Sequence, residues 1–186
     1  MAPRGYGDTL AANPMDGAVD ATTLVDTNSY QAQVGRIGGT ERAFIIPFQL
    51  PTLAEGEGFT DADLRLMLFG SSVSTYNADV YGLARVSANP DILASDFFTG
   101  AADVSATLIQ NDFFTPSSPG LGTPVNSDAT GDANLASWLN VRYAVGANAG
   151  QYVFLRVNAD IHPVGDSSFQ VLTQDAGGAP EKPLST

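Results

Sequence analysis

Two close pairs of aspartates and one histidine are the residues here whose type and spacing could do chemistry. Asp61 with Asp63, and Asp128 with Asp132, each put two carboxyl groups within a few residues. Paired carboxylates cleave glycosides when one acid stays protonated and the other ionised at a set separation. Nothing around either pair marks one acid as buried and its partner as solvated, and both pairs lie where turns are expected. His162 is the only histidine, and it precedes Pro163 in an expected loop. A serine–histidine–acid triad would have to use it, yet no Gly-x-Ser-x-Gly elbow is present to carry the serine. His162 reads as a solvent-facing loop residue. These residues lead to the expectation of a chain that is not an enzyme.

One loop has metal-ligand spacing. Asn126, Asp128, Thr130 and Asp132 offer oxygen side chains at alternate positions, with Gly131 sixth in the run. Calcium loops use that spacing, the glycine making the sharp turn. The twelfth position is Ser137, where such a loop would place a bidentate glutamate. A second reading of the same residues is a turn leading into a helix, with Asp132 as its N-cap. Calcium is the one cofactor that the sequence suggests.

Aromatic side chains could supply a sugar-stacking platform. Trp138 is the only tryptophan, and its spacing with Leu135 and Leu139 assigns it to a core. Tyr6, Tyr30, Tyr76 and Tyr143 are the candidates for exposure. In an extended chain Phe97-Phe98 and Phe113-Phe114 would each send one ring to either face, so that each pair exposes a ring suited to a protein contact.

The elements that must position these residues are mostly strands. Phe44, Ile46, Phe48 and Leu50 alternate strictly, with Pro47 marking an edge or a bulge. Leu64, Leu66 and Leu68 alternate with Arg65, Met67 and Phe69. Val80 to Val86, Ala106 to Ile109, Phe169 to Thr173, and Val153, Leu155 and Val157 (a half-buried strand) follow the same period. Thr22 to Val25 could pair with Tyr30 to Val34, residues 112–126 read as a long loop, and Pro183 to Thr186 could close the sheet. One short helix is expected near residues 133–145, stopped by Gly146 and Gly150. The fold class is therefore all-β, an antiparallel β-sandwich of jelly-roll type with one helix across its end. Residues 22–186 form its single domain, and residues 1–21, with three glycines, two prolines and few large apolar side chains, form an extended arm.

Composition narrows the function. Twenty acidic residues face eight basic ones in 186 residues, for a net charge of −12. Sixteen of the acids are aspartate, and the only lysine is Lys182. Without a basic face, nucleic acid and anionic lipid are poor partners. No apolar run reaches membrane-spanning length, so no membrane insertion is expected. The absence of cysteine excludes disulfides, thiolate zinc sites and a cysteine nucleophile. No apolar signal-peptide core is seen between Met1 and Val19.

Four segments together resemble the DNRLRE-type domain, a jelly-roll module of secreted bacterial proteins similar in shape to carbohydrate-binding modules. They are Arg42 to Leu50, Ala62 to Phe69, Asn77 to Leu83, and the Asn134 to Asn140 helix followed by Phe154-Leu155. The family's tryptophan-rich middle segment is absent, and Ser95 to Phe98 and Asn111 to Phe114 stand in its place. The resemblance implies an extracellular or cell-surface setting; the C-terminal sorting tail that such secreted proteins carry is not among these residues.

The resulting expectation is a structural subunit that assembles with copies of itself into a fibre, sheath or matrix layer. The arm would add a strand to a neighbour's sheet. The assembly surface would be Tyr6, Leu10, Thr22 and Leu24 of the arm and its junction, with Phe97, Phe98, Phe113 and Phe114. The alternative is a carbohydrate-binding module for extracellular polysaccharide.

Overall fold

The computed structural model describes residues 4–5, 16–20, 25–27, 29–73, 75–97 and 106–173. Thirteen strands, one α-helix and two short 3-10 helices (Ala94–Asp96 and Ala144–Gly146) make up the described elements. The strands are β1 (Arg4–Gly5), β2 (Gly17–Asp20), β3 (Val25–Asp26), β4 (Gln31–Ile37), β5 (Thr40–Gln49), β6 (Glu57–Gly58), β7 (Arg65–Leu66) and β8 (Leu68–Ser71). They continue with β9 (Ala78–Ser87), β10 (Ala106–Phe114), β11 (Val125–Asn126), β12 (Tyr152–Ala159) and β13 (Ser167–Leu172), and the helix is α1 (Ala129–Tyr143).

Nine strands form one curled antiparallel sheet in the order β10-β9-β12-β5-β4-β13-β8, with β2 on β5 and β3 on β2. The curl begins where β4 leaves β5. Gly38 and Gly39, both at positive φ, make the two-residue turn of the β4–β5 hairpin, in which Ile37 pairs with Thr40. The pairing lasts only to Gly35 opposite Arg42, after which β4 runs on against β13 while β5 pairs with β12. Gly35 has φ 126°, and the Tyr76 hydroxyl occupies the space a side chain would need there. That hydroxyl donates to the Ser167 carbonyl at 2.5 Å, and burial raises the tyrosine's pKa.

The curl brings the sheet's two ends face to face. Phe114 of β10 stacks on Phe169 of β13 with ring centroids 5.7 Å apart. Between the layers lie Phe44, Ile46 and Phe48 of β5, Leu64, Leu68, Val80, Val153, Leu155 and Val157, with Leu135, Trp138 and Leu139 from the helix. All the core residues expected from alternation are buried, and the all-β sandwich with one helix is the fold.

Several elements differ from expectation in instructive ways. The helix begins at Ala129, because Asp128 is the N-cap, its carboxylate accepting from the Thr130 and Gly131 amides. Asp132 falls in the first turn instead. Gly131 reads as a loop residue, yet it lies in the first helical turn, where the Gln110 side chain leaves no room for a Cβ. Strands β5 and β12 are buried on both faces. Their second face meets a smaller core of Val19, Ala43, Ile45, Leu83, Ile92 and Phe154, against which Phe97 packs. Pro47 is tolerated because β2 ends its pairing at Ile45, and no described strand lies beyond it on that side.

Two other corrections concern pairing and the arm. Val25, the one described residue of the expected 22–25 strand, pairs with Val19 of β2, while Gln31–Ile37 pairs with β5 and β13. Gly17–Asp20, placed in the arm from sequence, is a strand of this chain's own sandwich, and Arg4–Gly5 pairs with Glu57–Gly58. Residues 183–186 lie outside the described residues, as do Tyr6, Leu10, Thr22, Leu24 and Phe98.

Candidate functional site

Asp132 is where chemistry-bearing side chains converge. Strand β11 pairs with β7, Val125 opposite Leu66 and Asn126 opposite Arg65, which lays the start of the helix beside residues 61–64. Ser127 fixes the register: its amide donates to the Leu64 carbonyl at 2.8 Å, and its hydroxyl accepts from the Leu64 amide at 2.8 Å. The same hydroxyl donates to the Asp132 carboxylate. Oxygens of Asp61, Asp63 and Asp132 then lie within 4.8 Å of one another. Burial raises the pKa of Asp132, the Ser127 hydrogen bond lowers it, and the charges of Asp63 and Asp61 raise it again.

Three carboxylates this close can share a proton or bind a hard cation, and they supply about half of the six to eight oxygens that calcium takes. The composition of the group is not that of the 126–132 loop. Asp132 is common to both, but Asp128 is occupied in capping the helix, its Oδ1 accepting from Thr130 and Gly131 at 2.9 and 2.8 Å. Asn126 is an exposed residue of β11, and Thr130 is exposed on the first helical turn. The partners of Asp132 come instead from a segment far away in sequence. Reading Asp61 and Asp63 as one pair, and Asp128 and Asp132 as another, separates residues that the fold joins.

A second set of acids surrounds the start of β9. Asp79 is 3% exposed, and its Oδ1 accepts from the Asp112 amide at 2.8 Å. The Asn77 side chain donates to Asp112 at 2.7 Å, and the Asn77 amide donates to Asp160 at 3.2 Å. Burial raises the pKa of both Asp79 and Asp160, and the charges of neighbouring aspartates add to it. Asp112 has φ 55°, and the strand register shifts between Gln110 and Phe114. This bulge turns both Phe113 and Phe114 inward, at 2% and 0% exposure. The expected interface residues Phe113 and Phe114 are therefore core residues, because the extended alternation assumed for them is broken one residue earlier. Phe97 is half-buried against the smaller core.

His162 sits in the loop after β12, with Nδ1 3.0 and 3.1 Å from the two oxygens of Glu41. Arg85 makes two bonds to Asp96, at 2.9 and 2.5 Å, and lies over the Phe154 ring. Arg156 is buried, bonded to Asn158 at 2.9 Å and to the Asp96 carbonyl at 3.1 Å. These groups hold strands and loops together.

Of the expected exposed tyrosines, Tyr76 and Tyr143 are buried, since their hydroxyls reach Ser167 and the Leu53 amide. Tyr30 is 58% exposed and meets Phe69, itself 44% exposed, edge to face at 6.3 Å. Phe69 belongs to β8, last in the sheet order, and Gln33 and Gln170 are cross-strand partners in the same part of the sheet. The alternation Leu64-x-Leu66-x-Leu68 already sends Phe69 away from the core, a signal that could have singled it out. No helix of the described residues is long and apolar enough to cross a membrane. Neither a scan against protein-family models nor a search of the curated proteins finds a match to this chain.

Proposed function

We propose that this chain is a non-catalytic structural subunit of an extracellular assembly, a fibre, sheath or matrix layer, and that its partners are copies of itself. The observation that carries this reading is the exposed Tyr30–Phe69 pair beside β8. Among the described residues β8 has β13 on one side and no strand on the other. A strand edge with unpaired backbone groups and aromatic side chains next to it is suited to adding a strand from another chain. Arg85, Arg156, Asp79, Asp96, Asp112 and Asp160 are used within the fold, which favours recognition over reaction. The resemblance to DNRLRE-type modules supports the extracellular setting. Calcium held by Asp61, Asp63 and Asp132 would tie the 61–64 segment to the helix start, a structural part and not a catalytic one.

The same aromatic pair supports a second reading, a carbohydrate-binding module. Tyr30 and Phe69 share this part of the sheet with the cross-strand pair Gln33–Gln170, so that ring faces and hydrogen-bonding side chains occur in one region, as sugar recognition requires.

One experiment separates the two. The purified chain is examined by electron microscopy and light scattering, beside a Tyr30→Ser/Phe69→Ser variant. Regular polymers from the parent chain, and monomers from the variant, are the expected result. Monodisperse parent protein that is retarded in gels containing polysaccharide, with the variant not retarded, would transfer the site to the second reading.

A further inference from the structure

Residues 88–97 follow the end of β9 and fold back over the outer face of the sheet. Among the described residues no strand pairs with them. Their backbone-to-backbone hydrogen bonds among those residues are internal, Asp96 donating to the Leu93 carbonyl at 2.9 Å and Phe97 to the Ala94 carbonyl at 3.2 Å. Side chains fasten the segment, and the bonds centre on Asp96. Its carboxylate accepts from Nε of Arg85 at 2.9 Å and from Nη2 at 2.5 Å. The same Nη2 donates to the Asp91 carbonyl at 3.0 Å, and Arg156 donates to the Asp96 carbonyl at 3.1 Å. Oδ2 of Asp96 also accepts the Leu93 amide at 2.8 Å, so one carboxylate both shapes the segment and anchors it. Beneath lie Val19, Ala43, Ile45, Leu83 and Phe154, which the segment covers with buried Ile92 and half-buried Phe97.

We propose that residues 88–97 are a latched strap, a cover that opens as a unit while the sandwich beneath it stays folded, with the Arg85–Asp96 ion pair as the latch. Parts of a fold open separately where few apolar side chains are buried and no ladder ties them to the rest. The strap meets both conditions. Its two apolar side chains belong to the smaller core, and no strap residue enters the core between the layers. The latch has one half on each side of the opening. Arg85 belongs to β9 and lies 3.3 Å from the centroid of the Phe154 ring, so it stays with the sheet, while Asp96 leaves with the strap.

Opening uncovers Ile45, Leu83 and Phe154 with Arg85 and Arg156 beside them. That is an apolar face carrying two positive charges, on a chain whose net charge is −12. The strap, an aspartate between Ile92 and Phe97, complements it in both respects. A face of this kind is kept from water and from other chains by the latch, which makes Asp96 a control point of the fold. This inference does not rest on the proposed function.

The test is thiol labelling of the intact chain. The sequence has no cysteine, so one introduced thiol reports on its own surroundings. Leu83→Cys places it under the strap, and Val157→Cys places it in the core between the layers; both positions are buried. In excess reagent the Leu83→Cys thiol should react at least about tenfold faster than the Val157→Cys thiol, because the strap opens more readily than the whole fold. Its rate should also depend little on urea below the unfolding transition, because opening exposes little surface. Asp96→Asn and Arg85→Lys should each speed labelling at Leu83→Cys about tenfold, the effect of losing a hydrogen bond to a charged group, and leave the far-ultraviolet circular dichroism unchanged. Equal rates and equal urea slopes at the two thiols would show that the segment opens only with the whole fold. A Leu83→Cys rate that neither latch variant moves, or a latch variant that no longer folds, would also overturn the proposal.

Discussion

The indole of Trp138 lies directly on the backbone of Gly82. A methyl group built on Gly82 would fall inside the ring, so the helix sits at this distance from β9 only because position 82 is glycine. Gly82→Ala should therefore force the helix outward and cost about 1–3 kcal/mol, as overpacking of a filled core does. Gly120→Ala, where nothing lies near the added methyl, should change stability by no more than about 0.5 kcal/mol. Urea denaturation of both variants, compared at constant slope, decides this. Trp138→Ala, the opposite change, should cost about 3–5 kcal/mol.

Tyr76→Phe should destabilise by about 1–3 kcal/mol although it removes a single oxygen. The hydroxyl is the donor for the Ser167 carbonyl at the place where β4 passes from one layer to the other, and its loss leaves that carbonyl without this donor. Thermal unfolding of the variant measures the effect.

Three aspartates, Asp79, Asp132 and Asp160, have pKa values raised by burial above the ordinary aspartate value. A raised carboxyl favours its protonated form in the folded state. Its contribution is complete below the unfolded value and is lost as pH rises through the folded one. Asp79→Asn removes this dependence, so the difference in Tm between variant and parent should be more positive at about pH 7 than at about pH 4. Equal differences at both pH values would show that Asp79 does not titrate in this window.

The helix cap and the acidic triad are separable. Asp128→Ala should cost about 0.5–2 kcal/mol by leaving the Thr130 and Gly131 amides without their acceptor. Millimolar calcium should raise Tm relative to chelator if the folded state binds it preferentially. That shift should survive Asp128→Ala and vanish in Asp63→Asn, because Asp63 belongs to the triad and Asp128 does not. Melting curves with calcium and with chelator measure both effects.

Periodicity made most of the inner core readable. Phe44, Ile46 and Phe48, or Val153, Leu155 and Val157, need only alternation to be placed. The other face of those strands was not readable, because a segment near Ile92 to Phe97 folds back over it and no local pattern records a distant cover. Phe113 and Phe114 were misplaced for a related reason: the left-handed residue that turns them inward is an aspartate, and a glycine there would have announced a bulge. The meeting of Asp61 and Asp63 with Asp132 depends on the pairing of β7 with β11, two strands of two residues each, too short to leave a period in the sequence.

The stacking of Phe114 on Phe169 bears on the order in which the chain can fold. Strand β4 forms early in the chain, yet its long neighbour is β13, and Thr173 reaches Ser29 across 144 residues. The layer that β4 shares with β13 cannot be completed until β13 is delivered. Closing so long a loop before any of its contacts form is slow. The sandwich is therefore closed by a pairing between strands from opposite ends of the described chain, and the chain's net charge of −12 opposes association of separate copies while that pairing forms.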